Sequence, residues 1–148
     1  MKKILCILLA LMMCVCLVAC NNSEDNDAPV VENEVQEVEV NEEVAQYVEE
    51  HGKELTSSLE ESFNSSSGLT CTASVTVVAS GIVIDVNIGG VDGASDAMKQ
   101  QMQATYDEQQ ATFDTILTAL QTEIPSLESV QFNVNEEDGD LLAKIYAE

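Results

Sequence analysis

Two pairs of segments with alternating apolar and polar residues constrain the fold more than any other feature of this chain. The first pair lies on either side of Val78–Gly81. Successive side chains of a β-strand point to opposite faces, so each segment predicts a strand with one buried face and one solvent-facing face. A four-residue loop predicts that Val77 pairs with Ile82 and Val75 with Ile84, which places both apolar faces on the same side.

A second hairpin is predicted on either side of the acidic loop Glu136–Gly139. Here a loop of the same length pairs Val134 with Leu141 and Phe132 with Ala143, and the apolar face remains continuous. The two halves of the chain therefore repeat one pattern.

Each hairpin is preceded by an amphipathic helix. The first begins after a predicted N-cap at Asn41, and its glycine, Gly52, indicates a close approach to the sheet. The second is predicted from about Ala94 to Glu123 and ends before Pro125. At 1.5 Å per residue it reaches about 45 Å, so it overhangs strands of about 25 Å or bends. Its apolar stripe consists of Met98, Met102, Tyr106, Phe113, Ile116, Leu117, Leu120 and Ile124. We therefore predict a two-layer αββαββ domain of the α+β class, in which two helices cover one face of a four-stranded antiparallel sheet.

The N-terminus indicates export. Two lysines precede an unbroken apolar run of sixteen residues, Ile4–Ala19, which fits a signal peptide and is short for a permanent transmembrane span. The run ends in Leu17-Val18-Ala19-Cys20, which resembles the lipobox of bacterial lipoproteins. The resemblance implies cleavage before Cys20 and a lipid on its thiol. Two acyl chains give stable anchoring, so we expect the protein at the outer face of the cytoplasmic membrane.

The chain is then expected to divide into three parts: a signal peptide at 1–19, the lipidated Cys20 with an acidic disordered tether at 20–40, and the domain at 41–148. The tether contains acids and no basic residue, so it repels itself. Its alternating valines leave open a second interpretation, an edge strand that pairs with a partner.

Charge excludes several kinds of partner. The chain has 27 acidic residues against 5 basic ones, a net charge of −22. Binding to nucleic acid needs clustered basic side chains, so it is excluded, and protein charge does not favour an anionic lipid surface. No cofactor is predicted.

Few residues are candidates for chemistry. His51 lies on the core side of the first helix. A catalytic triad would need a nucleophile and an orienting acid beside it, and no sequence signature supplies them, so we interpret His51 as a packing residue and predict no catalytic site. After processing, Cys71 is the one free thiol, and its place on the apolar face of a strand predicts burial. The acidic loop Asn135–Asp140 does not have EF-hand spacing, so it is interpreted as a turn, and no metal site is predicted.

The solvent-facing side of the sheet is the candidate binding surface, because short polar side chains can hydrogen-bond a peptide or a glycan. An ordinary half-exposed sheet has the same composition. The predicted members are Thr70, Thr72, Ser74, Thr76, Val83, Asp85, Asn87, Ser129, Gln131, Asn133, Leu142, Lys144 and Tyr146.

The lipobox, the acidic tether and a set of short motifs together resemble a family of small lipoproteins of Gram-positive bacteria whose domain has no known function. The motifs are Ala45-Gln46-Tyr47-Val48-Glu49, Ser67-Gly68-Leu69-Thr70, Met98-Lys99-Gln100-Gln101-Met102 and Asn135–Asp140. The resemblance spans residues 41–148 and implies location and fold, without site residues to carry over.

These features favour a noncatalytic, lipid-anchored binding or interaction module of the cell envelope, with an envelope protein, a peptide or a glycan as partner. Two alternatives remain: an inhibitor or accessory subunit of an exported enzyme, and a hydrolase that uses an unrecognised site around His51.

Overall fold

Residues 39–67 and 70–148 are described by the computed structural model, so the predicted signal peptide, Cys20 and all but the last two residues of the tether lie outside the described residues. The described chain is an α+β fold with a four-stranded mixed sheet and three helices. The elements are α1 (Glu42–Ser67), β1 (Cys71–Val78), β2 (Gly81–Ile88), α2 (Asp96–Asp107), α3 (Gln110–Glu123), β3 (Ser129–Asn135) and β4 (Leu141–Ala147).

The sheet has the strand order β1-β2-β3-β4, and the prediction that it is wholly antiparallel is wrong. Both hairpins are antiparallel, but β2 and β3 run parallel, from the pair Gly81 and Ser129 to the pair Asn87 and Asn135. The reason is the connection between β2 and β3. The helices α2 and α3 together carry the chain once along the sheet, back to the end at which β2 began. Strand β3 therefore starts there and runs in the same direction as β2.

The first hairpin has the predicted register. Val77 pairs with Ile82 and Val75 with Ile84, and Val78 also pairs with Gly81. This leaves a tight turn in which Ala79 adopts a φ of 53°. The alternation along β1 and β2, together with the position of the turn, therefore predicts the register correctly here.

The second hairpin differs from its predicted register. Val134 pairs with Ala143 rather than with Leu141, and a β-bulge lies between Val134 and Asn135. A bulge adds a residue to one strand, here Leu142 in β4. Residues on the two sides of the bulge then no longer alternate between the faces of the sheet. Leu142 is consequently buried and Leu141 is exposed, the reverse of the prediction.

Helix α1 begins and packs as predicted. The side-chain oxygen of Asn41 accepts hydrogen bonds from the backbone N–H of Glu43 at 3.0 Å and of Val44 at 3.3 Å. Gly52 faces β1 so closely that a Cβ atom at this position would lie 2.8 Å from Cγ1 of Val75. The glycine therefore lets the helix approach the sheet.

The predicted long helix is two helices, α2 and α3, with a break at Glu108 and Gln109. At the break, the N–H of Gln109 donates to the carbonyl of Tyr106, and Gln109 has a φ of −91° and a ψ of 1°. The break keeps both halves against the sheet, since Tyr106 and Phe113 on either side of it are both buried. Bending, rather than overhang, is how the extra length is accommodated.

The core lies between the helices and the apolar face of the sheet. Its members come from all seven elements and the loop before β3: Val44, Leu59, Phe63, Cys71, Ile82, Ile84, Val86, Ile88, Met102, Tyr106, Phe113, Ile116, Leu117, Leu120, Ile124, Leu127, Val130, Phe132, Val134, Leu142, Ala143, Ile145 and Ala147. The opposite face of the sheet keeps its polar residues exposed or half-buried, which makes it the first surface to consider for function.

Candidate functional site

The solvent-facing side of the sheet, called the open face below, is a continuous polar surface. Its members alternate with the buried residues along all four strands: Thr72, Ser74, Thr76, Val83, Asp85, Asn87, Ser129, Gln131, Asn133, Lys144 and Tyr146. The outer strands contribute the most accessible ones, and Tyr146 is 44% exposed. Leu142, which the alternation had placed on this surface, belongs to the core instead.

Side chains in the middle of the open face hold one another in place. The amide of Asn133 donates to the carboxylate of Asp85 at 2.8 Å, and the amide of Gln131 donates to the side-chain oxygen of Asn133 at 2.9 Å. Nearer the end of the strands, the amide of Asn135 donates to the side-chain oxygen of Asn87 at 3.1 Å. The amides of Asn133 and Asn135 bridge the parallel strands β2 and β3, and that of Gln131 bonds along β3, so the three form a connected set of donors and acceptors.

The open face is nearly neutral in an otherwise strongly acidic protein. Its charged members are Asp85 and Lys144, of opposite sign, whereas the whole chain carries −22. The acids of the described residues lie mainly on the helices and in the loops. An approaching partner therefore meets little net charge on this face and strong negative charge elsewhere.

The outer edge of β4 is occupied by glutamine side chains of the helices. The side chain of Gln103 accepts from the N–H of Lys144 and donates to its carbonyl, both at 2.9 Å. Gln110 donates to the carbonyl of Tyr146 at 2.8 Å. Gln103 thus imitates a neighbouring strand, and β4 does not offer these groups to a partner strand.

The outer edge of β1 is covered over its first half in the same way. The N–H of Cys71 donates to the side chain of Asn64 at 2.9 Å, and the N–H of Ala73 donates to the carboxylate of Glu60 at 2.8 Å. The covered edges favour the open face over the edges as a binding surface.

His51 contacts two residues of its own helix. The ring packs on Tyr47 with centroids 4.6 Å apart, and its Nε2 lies 4.0 Å from a carboxylate oxygen of Glu50, which is itself 57% exposed. The side chain of His51 is 30% exposed. These contacts fit a residue at the boundary of the core.

Cys71 is buried, as the alternation predicts. Burial, followed by the negative charge of Glu60, raises the pKa of the Cys71 thiol to about 11. The thiolate is the reactive form of cysteine, so only a small fraction of Cys71 is in the reactive form at neutral pH.

The acidic loop is a turn, as interpreted from its sequence: the N–H of Gly139 donates to the carbonyl of Glu136 at 3.1 Å, and Gly139 has a φ of 98°. The structure adds a juxtaposition that sequence reasoning missed. Oxygens of Glu136 and Asp138 lie within 4.8 Å of one another and of Asp92, which follows β2. With β2 and β3 taken as antiparallel, the two loops would lie at opposite ends of the sheet. No local pattern around Asp92 would have revealed their proximity.

No family model, curated protein or solved structure matches this chain. Within residues 39–67 and 70–148, no helix combines the length and hydropathy required to span a bilayer.

Proposed function

We propose that this protein is a lipid-anchored, noncatalytic binding module of the cell envelope, and that its open face binds an envelope protein. The domain is then a two-layer structure whose helices protect one side of the sheet and leave the other side for the partner. The observation that supports the proposal most directly is the nearly neutral, internally hydrogen-bonded open face on a chain of −22.

The size of the open face favours a transient protein contact. Four strands of about eight residues span roughly 20 by 25 Å, or about 500 Å² in projection. Each partner in a standard interface contributes about 800 Å², so the contact is a weak one. Anchoring both molecules to one membrane raises their effective concentration and compensates for the weakness.

The attachment rests on Cys20 and the apolar run before it. Mass spectrometry of the native product from the bacterium should find a mature chain that begins with a diacylglyceryl-modified Cys20. An unmodified N-terminus, or intact chain in the cytosol, would refute the anchor and leave the open face to be tested on its own.

Site-specific crosslinking in cells tests the open face. A photo-crosslinking residue at Ser74 should give an adduct with one envelope protein, whereas the same residue at Thr118, exposed on α3, should not. The substitution Thr72→Trp should reduce the Ser74 adduct at least fivefold, and charge reversal at Lys144 should also weaken it.

The matched control is Thr118→Trp, which places the same bulk on the helical side of the domain. Circular dichroism must show both tryptophan variants folded. Adducts at Ser74 and Thr118 in equal yield, adducts with wall glycan alone, or an adduct that Thr72→Trp leaves unchanged would refute a protein-binding open face.

A further inference from the structure

A buried carboxylate lies in the turn after β3, and one of its oxygens has no hydrogen-bond partner among the described residues. Glu136 is 1% exposed. Its Oε1 accepts from the N–H of Ala94 and from Nζ of Lys99, both at 3.1 Å. Its Oε2 is buried and has no hydrogen-bond partner among the described residues. A buried oxygen left in this state is costly, so its position indicates a partner that the described residues do not supply, such as an ion or an ordered water.

Two further carboxylates lie close to that of Glu136. Asp92, Glu136 and Asp138, called the acidic cluster below, each place a carboxylate oxygen within 4.8 Å of the others. Oxygens that ligate one Ca²⁺ at about 2.4 Å can be at most about 4.8 Å apart. The three oxygens can therefore contact one such ion with little rearrangement.

The charge of the acidic cluster matches a divalent ion. Its three carboxylates carry three negative charges, and Lys99 supplies one positive charge to Glu136 from 3.1 Å. The local sum is −2. Lys99 contacts Oε1, whereas Oε2 has no hydrogen-bond partner among the described residues, so Glu136 retains one oxygen that a metal ion can bind.

The two loops that carry the acidic cluster are held together by hydrogen bonds. The N–H of Glu137 donates to the carbonyl of Val91 at 3.0 Å, and the N–H of Gly90 donates to the carboxylate of Glu137 at 2.8 Å. Because β2 and β3 are parallel, both loops leave the carboxyl ends of adjacent strands, where ligands of open sheets commonly bind. These bonds hold the backbone on either side of the ligands in place, which reduces the entropy lost on binding.

We propose that the acidic cluster is a Ca²⁺ site formed by Asp92, Glu136 and Asp138, with water completing the coordination shell. Mg²⁺ is disfavoured, since it requires a near-ideal octahedron and loses its water reluctantly, whereas Ca²⁺ accepts irregular sets of oxygen ligands. Binding ties the loop after β2 to the loop after β3. The affinity expected for such a site is in the range of extracellular calcium modules, a Kd of about 10⁻⁴ to 10⁻³ M.

Calorimetric titration of the protein with CaCl₂ at constant ionic strength tests the site. We expect one saturable site, an increase in the unfolding temperature with Ca²⁺, and at least tenfold weaker binding of MgCl₂. The substitutions Asp92→Asn and Asp138→Asn should each weaken Ca²⁺ binding at least tenfold.

The control is Glu128→Gln, which removes one exposed negative charge at the opposite end of β3 and should change the Kd less than twofold. Absence of saturable Ca²⁺ binding, or equal weakening by Glu128→Gln and Asp92→Asn, would overturn the site and indicate diffuse attraction to an acidic surface. Since the acidic cluster is separate from the open face, crosslinking at Ser74 reports on the partner surface independently.

Discussion

The substitution Gly52→Ala should destabilise this protein, although the same change stabilises most helices. In an unobstructed helix, alanine is favoured over glycine by about 1 kcal/mol. Here the new Cβ would lie 2.8 Å from Cγ1 of Val75 and 3.4 Å from Cγ1 of Val48. Valine is stiff at χ1, so Val75 cannot rotate its methyl group away at low cost, and either the helix or the strand must shift.

The expected magnitude follows from two opposing contributions. Inserting a methyl group into a tight contact costs about 1–3 kcal/mol, against the gain of about 1 kcal/mol from helix propensity. With the central value of about 2 kcal/mol for overlap, Gly52→Ala lowers the free energy of unfolding by about 1 kcal/mol. When Val75→Ala removes the obstructing methyl groups, the same substitution should raise it by about 1 kcal/mol.

Urea unfolding of the four proteins in this double-mutant cycle measures the effect. The coupling between positions 52 and 75 should be about 2 kcal/mol, within the range for residues in contact. Ser57→Ala, at an exposed position of the same helix, is the control and should be slightly stabilising, by about 0.5 kcal/mol. If Gly52→Ala stabilises the protein equally in the wild-type background and in the Val75→Ala background, the close approach of α1 to β1 is not what requires glycine.

Three further predictions concern local features. Asn41→Ala removes the α1 cap and should lower the free energy of unfolding by about 1 kcal/mol in urea titrations. Gln103→Ala exposes the backbone of Lys144 at the β4 edge, so it should lower the free energy of unfolding by about 1 kcal/mol and promote self-association, which light scattering measures. The control Gln100→Ala, at an exposed position of the same helix, should have neither effect. Cys71 should react with iodoacetamide at pH 8 about a hundredfold more slowly in the native than in the urea-unfolded protein, because its pKa is raised to about 11. Mass spectrometry of the peptide that contains Cys71 follows the reaction. Equal rates in the two states would show that the thiol is accessible.

Local sequence patterns predicted a helix start or a strand register correctly where a single local interaction decides it. Asn41 has the side chain that caps a helix, and the structure confirms the cap. The register of the first hairpin follows from alternation, since a shift by one residue would expose Ile82 and Ile84. In the second hairpin, the same reasoning missed the bulge opposite Val134 and Asn135, because alternation assumes that the two strands pair without an extra residue.

The open face was predictable almost in full, because alternation assigns side chains to faces whichever neighbour a strand has. Which strand edges at the boundary of the open face are covered was not predictable. The glutamine and acidic side chains that cover the strand edges come from residues far away in sequence: Gln103 lies 41 positions from Lys144, and Glu60 lies 13 from Ala73. Nothing in the spacing of polar residues along a helix indicates which of them will reach a strand edge.

The sequence alone determined the four strands, the first helix and, apart from Leu141 and Leu142, the side of the sheet that each strand residue faces, since these depend on periods of 2 and 3.6 residues within short segments. Only the tertiary structure decided that β2 and β3 run parallel, because strand direction depends on how the connecting helices cross the sheet rather than on alternation. That direction brings Asp92 beside Asp138, although they are far apart in the chain. The protein's composition supplied the carboxylates, and the parallel pairing placed them together.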